Sequence, residues 1–465
     1  MKNKSFIILA LFAICFSLFI FPAGNVAHAN SAQTYWQGVT ASGAIVTGEN
    51  VPIVVESENL TFYINEVPTS YDYISDNTKE YTTRVTAEYY FYNPSEYDVT
   101  ATLVFPYGNV PFYRTSKDAV GKEYGVTING ESVDSQARYT YNRNYNYEFD
   151  YKVAINQVCD TYKADDFYSP NMTVYKYSYQ VSDLSYGHGA LMVELNYDSE
   201  VKYYLVGGGI KENTDKTLTY SIWVKPNQTI EFYAIGKEVE IERYAFYEDF
   251  TKDANRSSGT LTLTSKEEIT FKELALSKRD ENSSVTEIDW YNATIDMLND
   301  EYYSLSPIAE LGTDLNNHLM GWYKYELSVP AGGRAINAVT APLYPSINER
   351  YEPPKYDFKY LLSPANSWAS FGELIININT TAYMLENSLD GFEKVDTGYR
   401  LRRNGLPDEE LIFTLCAEER PKKEINWGYY LIVIIPIAIV VAVVAIIVTI
   451  VVVVKKKRKK KKMNK

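Results

Sequence analysis

Short segments in which β-branched or aromatic residues alternate with polar ones recur along this 465-residue chain. An alternation with period two places successive side chains on opposite faces of a strand, so each segment predicts a strand. Turn-forming residues separate the segments, and many short strands of this kind are typical of antiparallel sheets. The sequence therefore predicts a mainly β, antiparallel β-sandwich-like ectodomain. The segments are Met172–Val181, Leu191–Tyr197, Val201–Val206, Thr217–Val224, Thr229–Ile235, Gly259–Thr264, Tyr323–Val329, Lys359–Leu362, Glu373–Asn379 and Glu410–Leu415.

The clearest hairpin in the sequence lies near residue 95. Residues Thr83–Tyr92 and Val99–Phe105 are rich in β-branched and aromatic residues, and Asn93-Pro94-Ser95-Glu96 lies between them. Because Asn-Pro is a turn signal, this pattern predicts two strands joined by a tight turn.

One segment has a helical period instead. Ser284-x-x-Glu287 has the spacing of a capping box, and a single apolar stripe follows it, which predicts a short helical segment at about 285–303. We therefore place a domain boundary near residue 280, with a β-rich ectodomain at 30–280 and a helix-plus-β ectodomain at 281–427. The stripe consists of Ile288, Tyr291, Ile295, Leu298 and Tyr302.

The N-terminus has the pattern of a secretory signal peptide at residues 1–29. Lys2 and Lys4 precede an apolar stretch from Phe6 to Phe21, and Ala27-His28-Ala29 is a small-x-small cleavage site. The alternative is a first transmembrane helix, but the cleavage site and Pro22 argue against it. We expect the chain to be exported.

The C-terminal region predicts one transmembrane helix at 428–454. This stretch has no charged residue and, at 1.5 Å per residue, exceeds the roughly 30 Å of a bilayer core. Trp427 lies at one end, and the basic tail at 455–465 lies at the other, as the positive-inside rule requires of a cytoplasmic end. We therefore expect a single-pass plasma-membrane protein with its N-terminal domain extracellular and its C-terminus cytoplasmic.

The charge balance excludes one class of partner. The chain has 45 Lys and Arg against 59 Asp and Glu, which gives a net charge of −14. All nine basic residues of the tail lie beyond the predicted helix, so the exported part is more acidic still. Because nucleic-acid-binding domains carry basic patches, we expect no nucleic-acid partner.

Residues that commonly carry chemistry are scarce. The chain has three His and three Cys, and only His188 and His318 remain after the predicted cleavage. A His-rich metal site is therefore excluded, and we expect neither a metal nor a cofactor. We interpret His188, in Tyr186-Gly187-His188-Gly189, as a turn residue rather than a catalytic base, and His318 as a surface or capping residue.

Two cysteines, Cys159 and Cys416, lie in the predicted exported part. Export permits a disulfide between them, and closing so long a loop would stabilise the fold. The alternative is two free thiols that pack as small apolar groups. The sequence does not decide between these possibilities.

The most distinctive stretch is Arg138–Tyr151, in which aromatic residues share one parity. As a strand it would present a ladder of rings that could stack on sugar rings or on a peptide, and cross-strand aromatic packing explains the pattern equally well. Trp368 is a further candidate. The candidate binding residues are thus Tyr139, Tyr141, Tyr145, Tyr147 and Trp368.

Two stretches resemble known proteins. Val85–Pro106, with Tyr92-Asn93-Pro94-Ser95, and the following Val126–Glu131, with Asn129-Gly130, resemble the opening of vault/inter-alpha-trypsin-type β domains. This resemblance implies a strand, an Asn-Pro turn, a strand ending in Phe-Pro and a further short strand. Leu361–Leu374 is similar to a segment of membrane-anchored, exported β-rich proteins of Gram-positive bacteria. There it implies that Trp368 and Phe371 fill a core, and it carries no catalytic residue.

Together these features predict a non-enzymatic surface protein whose acidic, Tyr-rich ectodomain binds a wall polymer or a protein partner. The alternative is an exported carboxylate-based glycan hydrolase. Such an enzyme needs two acidic side chains about 5–10 Å apart, a separation that a sequence does not reveal.

Overall fold

The computed structural model describes residues 41–42, 44–46, 51–64, 83–106, 125–142, 156–214, 216–251, 254–281, 283–300, 312, 315–316, 318–343, 345–423, 448–449, 451 and 453–454. The predicted signal peptide and basic tail lie outside these residues, as does most of the predicted span at 428–454. Within the described ranges, no helix has both the length and the apolar character that crossing a membrane requires.

The described residues form strands, two α-helices and a 3₁₀ turn. The helices are α1 (Phe271–Leu276) and α2 (Glu287–Asn299), and the 3₁₀ turn is Ser363–Ser367. The strands are β1 (Ala41–Ser42), β2 (Ile45–Val46), β3 (Val54–Ile64), β4 (Arg84–Tyr92), β5 (Val99–Pro106), β6 (Gly125–Ile128), β7 (Glu131–Val133), β8 (Gln136–Tyr141), β9 (Thr173–Ser182), β10 (Gly189–Asn196), β11 (Lys202–Leu205), β12 (Gly209–Asn213), β13 (Thr217–Val224), β14 (Thr229–Ile235), β15 (Ile241–Tyr247), β16 (Arg256–Ser257), β17 (Thr260–Thr270), β18 (Leu319–Val329), β19 (Arg334–Pro342), β20 (Ser346–Asn348), β21 (Tyr351–Glu352), β22 (Lys355–Leu361), β23 (Ser370–Thr380), β24 (Tyr383–Asn387), β25 (Glu393–Val395), β26 (Gly398–Asn404), β27 (Leu411–Cys416) and β28 (Lys422–Lys423).

The prediction of a mainly β chain with a short helical segment is confirmed. Strands β13 and β14 have the predicted bounds, Thr217–Val224 and Thr229–Ile235. Strand β17 runs six residues beyond the predicted Thr264, through a charged stretch in which the apolar alternation is lost. Pairing with β9 carries the strand through that stretch, so tertiary contacts override the weak local pattern.

Strands from the two ends of the chain form the host unit, which we define as β1–β8 and β18–β28. Its largest sheet has the order β25-β26-β23-β3-β4-β19-β6-β7, so strands from both sides of residue 280 lie side by side. Two smaller sheets, β2-β5-β18-β8 and β1-β22-β27-β24, contribute to the same core. In that core the ring of Phe62 meets those of Tyr360 and Phe413 edge to face, with centroids 5.7 and 5.3 Å away.

Two strand pairs of the host unit depart from the expected antiparallel arrangement. Strand β3 pairs with β23 in parallel over ten residue pairs, and β1 pairs with β22 in parallel. More than 300 residues separate the partners in each pair. No tight turn joins them, so chain connectivity does not dictate an antiparallel direction.

Residues between β8 and β18 form the inserted unit, which we define as β9–β17. One sheet has the order β11-β14-β9-β17 and the other β12-β13-β10-β15-β16. Side chains from both sheets share one core, among them Tyr177 and Phe232 from the first and Leu191 and Ile222 from the second. The inserted unit therefore has a hydrophobic core of its own.

The two helices lie at the joint between these units, in a third apolar cluster that includes Tyr141 and Leu319 of the host unit. Helix α2 lies inside the predicted range of 285–303, but Thr286 caps it and not Ser284. The Thr286 hydroxyl accepts a hydrogen bond from the backbone N–H of Asp289. The indole of Trp290 donates to the carbonyl of Ala275 at 3.0 Å and so links the helices.

The predicted hairpin at Thr83–Phe105 is wrong. Strand β4 pairs with β3 and β19, whereas β5 pairs with β2 and β18, so the two strands lie in different sheets. The connection between them is therefore a corner from one layer to the next. The connection from β18 to β19 makes the same crossing, because β18 pairs with β5 and β19 with β4.

The buried side chain of Asn93 ties these two corners together. Its amide nitrogen donates to the carbonyls of Tyr97 at 2.8 Å, Val329 at 3.0 Å and Pro330 at 3.1 Å. Its amide oxygen accepts from the backbone N–H of Ser95 at 3.0 Å. The asparagine that looked like a hairpin signal thus satisfies carbonyls from both corners.

We expect Asn93→Ala to lower the free energy of unfolding by about 2–4 kcal/mol, because it leaves several carbonyls of the corners unpaired. Urea titration of the full-length chain in detergent micelles, followed by far-ultraviolet circular dichroism, measures the change. Asn59→Ala is the matched control, since Asn59 accepts one hydrogen bond, from Asn377, and its loss costs about 1 kcal/mol or less. Equal losses in the two variants would contradict the role assigned to Asn93.

A bulge in β3 places a carboxyl group in the host core. The pairing of β3 with β4 shifts by one residue between Val55 and Ser57, which turns Glu58 inward opposite Tyr89. Glu58 is 1% exposed, and its Oε1 has no hydrogen-bond partner among the described residues. Burial raises the pKa of Glu58 to about 7, although a hydrogen bond from Tyr89 opposes the shift.

This buried carboxyl makes the stability of the chain depend on pH. Between pH 4.5 and 7 the unfolded chain loses the Glu58 proton while the folded chain keeps it, so folding is favoured less as the pH rises. The loss amounts to about 3 kcal/mol above pH 7. We expect Glu58→Gln to remove this part of the pH dependence in urea titrations at pH 4.5 and 8.

Glu393→Gln is the control, because Glu393 is an exposed glutamate in the same sheet. That variant should retain the decrease in stability seen in the parent chain. A Glu58→Gln chain that loses as much stability between pH 4.5 and 8 as the parent would contradict the prediction.

Candidate binding site

Two of the predicted binding residues, Tyr139 and Tyr141, lie on β8 and pack into the joint. The Tyr141 hydroxyl donates to Asp300 Oδ2 at 2.9 Å, and the Tyr139 hydroxyl lies 3.4 Å from Ser284 Oγ. Both side chains therefore have partners at the helical end of the joint. The other two tyrosines, at 145 and 147, lie outside the described residues.

The residue before Tyr139 on β8 is a buried arginine. Arg138 is 2% exposed, and its guanidinium donates to the carboxylate of Asp289 at 2.8–3.1 Å, to Asp160 at 2.5 Å and to the carbonyl of Cys159 at 2.5 Å. Asp289 belongs to α2, so this charge cluster holds the helix against β8. Because Arg138 has a partner on each side, the cluster acts as a structural anchor.

Cys159 and Cys416 are both free cysteines. Cys159 Sγ accepts from the side-chain amide of Asn292 at 3.2 Å, and Cys416 is fully buried at the end of β27. The two thiols are therefore separate, with Cys416 buried and Cys159 only partly buried.

Trp368 lies in the host core. It follows the 3₁₀ turn, is 5% exposed, and its ring centroid is 4.5 Å from that of Phe91. The ring therefore fills the core, as the resemblance implied, and no open surface remains for a large ligand. His318, expected at the surface, is also buried, because it packs beside Tyr141 with ring centroids 6.0 Å apart.

An open groove occurs instead on the inserted unit, around Trp223. Buried and more exposed side chains alternate along β13. Trp223 lies on the outward face of the strand, with 49% of its surface exposed. The inward residues of the strand are Leu218, Tyr220, Ile222 and Val224, all buried in the core of the inserted unit.

Neighbouring rings hold the Trp223 indole in place. The Phe250 ring meets the indole edge to face, with a centroid distance of 4.6 Å. The centroid of the His188 ring lies 5.7 Å from that of Trp223. Phe250 follows β15, and His188 immediately precedes β10, which pairs with β13. An aromatic ring supported in this way presents a fixed apolar surface to solvent.

The turn between β13 and β14 builds the opposite wall. Asn227 has a positive φ of 61°, which reverses the chain, and its N–H donates to the carbonyl of Val181 at 2.9 Å. The Gln228 side-chain oxygen accepts from the N–H of Lys225 at 2.9 Å, so its amide group is oriented. The groove has a volume of about 750 Å³ and is lined by His188, Trp223, Val224, Lys225, Pro226 and Gln228.

The lining residues of the groove are chemically mixed. The set contains one large ring, an amide, an imidazole and an ammonium group, and it contains no carboxylate. Throughout the described ranges, no group of three or more His, Cys, Asp or Glu side chains is placed to hold a metal ion.

The alternation of inward and outward positions along β13 contained a sequence signal for this site. Within Thr217–Val224 the small polar residues occupy the outward positions, and Trp223 interrupts them with the largest side chain of all. A tryptophan on the polar phase of a predicted strand is a sign of an exposed ring. No such pattern in the sequence indicated that His188 and Phe250 belong to the site, since tertiary structure brings them to Trp223.

No protein-family model matches the chain, and the comparison with curated proteins gave no match. Among solved structures, the chain is similar to one described as a "putative nutrient binding protein" from Legionella pneumophila subsp. pneumophila str. Philadelphia 1. The identity is 10%, the TM-score is 0.27, and the match covers 81% of this chain and 71% of the other. A TM-score this low does not establish a shared fold.

Proposed function

We propose that this chain is a single-pass surface protein whose β-sandwich-like ectodomain binds a glycan of the cell wall through the Trp223 groove. The proposal keeps the topology predicted from the sequence, with a cleaved signal, an outward ectodomain and a helix at 428–454 in the plasma membrane. The observation that carries it is the half-exposed indole of Trp223 at the floor of an open groove.

A sugar ring fits the chemistry of this groove. One face of a pyranose consists of C–H groups, and covering the Trp223 indole with that face removes apolar surface from water. The hydroxyl groups around the ring need donors and acceptors, which Gln228 and His188 supply at the edge of the groove.

The rigidity of the groove also favours binding. Phe250 fixes the tilt of the indole, and the hydrogen bond from Lys225 to Gln228 fixes the turn. A surface that is ordered before the ligand arrives loses less conformational entropy on binding.

The alternative function, an exported carboxylate-based glycan hydrolase, gains no support from this groove. Hydrolysis of a glycosidic bond needs an acid and a second carboxylate across the bond, and the lining residues provide neither.

We expect Trp223→Ala to weaken binding of the full-length chain, in detergent micelles, to isolated Gram-positive cell-wall sacculi by about tenfold or more. Loss of the indole removes the main apolar surface of the site, and a tenfold loss corresponds to about 1.4 kcal/mol. Co-sedimentation over a range of sacculus concentrations gives the apparent Kd.

Tyr244→Ala is the matched control, because Tyr244 is 44% exposed on the same sheet and does not line the groove. That variant should bind as the parent does. Equal binding by the parent and Trp223→Ala would reject the groove as the site. Release of soluble sugar fragments by the parent would favour the hydrolase.

A further inference from the structure

We infer that the glycan bound in the Trp223 groove is acidic, with a carboxylate or phosphate on the stacked sugar or its neighbour that pairs with Lys225. This inference rests on the proposed function and names the class of its ligand. A pyranose ring and an anionic substituent are the two features that the groove would recognise together.

Lys225 is placed to meet an anionic group of a ligand in the groove. It lines the groove two residues after Trp223, and its side chain is exposed at the turn between β13 and β14. It forms no ion pair with a described carboxylate, and no carboxylate lines the groove with it. Its ammonium group is therefore available to a ligand that lies on the indole.

The basic side chains of the inserted unit fall into two groups. Like Lys225, the residues Lys202, Lys211, Lys216 and Arg256 form no ion pair with a described carboxylate, whereas the other described basic residues have acidic partners. The pairs are Lys176 with Glu231, Lys237 with Asp198 and Glu200, Arg243 with Glu194, and Lys266 with Glu238.

A second cation lies beside Phe250, the ring that contacts the indole. Lys211 of β12 has its Nζ 3.3 Å from the carbonyl oxygen of Phe250 and 5.9 Å from the centre of the Phe250 ring. Phe250 in turn contacts Trp223, which lines the groove together with Lys225. Neither lysine forms an ion pair with a described carboxylate.

Acidic side chains near this cluster are engaged elsewhere. Glu248, two residues before Phe250, accepts hydrogen bonds from Tyr186 at 3.0 Å through one oxygen and from Asn255 at 3.0 Å through the other. Asp249 accepts from the N–H of Thr251 at 2.7 Å. Both carboxylates thus have hydrogen-bond partners of their own, and neither forms an ion pair with Lys225.

The acidic composition of the whole chain does not prevent such binding. With a net charge of −14 the protein repels an anion at long range, but physiological salt screens exposed charges beyond about 8 Å. Within that distance an unpaired ammonium group decides the local potential. Lysine binds carboxylate and phosphate as a point charge, which suits a ligand whose anionic group varies in position.

The test measures binding of the full-length chain, in detergent micelles, to matched polymers by isothermal titration calorimetry. One pair is polygalacturonate and its fully methyl-esterified form, which differ in charge and share the sugar ring. The other pair is a phosphorylated mannan and the same mannan without phosphate. These pairs separate a carboxylate ligand from a phosphate ligand.

We expect the parent chain to bind at least one acidic polymer more tightly than its neutral partner. Lys225→Gln should weaken binding to that polymer about three- to fivefold and leave binding to the neutral form unchanged, as expected for one exposed ion pair. Lys216→Gln, at an exposed lysine outside the groove, should change neither. Trp223→Ala should weaken binding to both forms.

Equal binding to acidic and neutral polymers, or no effect of Lys225→Gln, would overturn the inference while leaving the Trp223 site intact. Failure to bind either acidic polymer would also overturn it. If Trp223→Ala retains full binding to every polymer and to sacculi, the proposed function itself falls. Circular dichroism spectra of the variants, compared with that of the parent, exclude misfolding as the cause.

Discussion

The side-chain amide of Asn93 is the contact on which the host unit depends. At this point two distant connections, β4 to β5 and β18 to β19, cross from one sheet to another side by side. At the corners of the chain, backbone carbonyls have no partner on a neighbouring strand. A buried carbonyl without a hydrogen bond destabilises the fold. Asn93 supplies donors to both corners from a fully buried position, so the two layers stay in register where they share no strand.

Much of the local structure was predictable from the sequence, because alternation and helical periodicity report which face of an element is buried. Strands β13 and β14 and helix α2 were found in this way. Strand partners were not, since alternation identifies a face and not a neighbour. Asn-Pro at residue 93 therefore looked like a hairpin, although β4 pairs with β19, more than 240 residues away. The parallel pairing of β3 with β23 was hidden for the same reason.

The same distinction explains the candidate site. The ring-rich strand around Tyr139 drew attention because it was dense in aromatics, yet Tyr141 is 8% exposed and packs at the joint. Trp223 is the one ring on the outward face of β13, and only that position distinguished it. Phe250 and His188 reach it from other elements, so their role followed from tertiary structure. Bulk and burial of a side chain are separate properties, and only the second depends on the fold.

The inserted unit leaves the host unit and returns to it at almost a single point. Strands β8 and β18 are hydrogen-bonded neighbours, and just beyond them the N–H of Asn142 donates to the carbonyl of His318 at 2.6 Å. Mechanical tension applied along the polypeptide from residue 41 to residue 423 would therefore reach the inserted unit only after the β8–β18 ladder had opened. The inserted unit is thus a side branch that bears no load until that ladder ruptures. A groove on the inserted unit would keep its shape while the host unit is under tension.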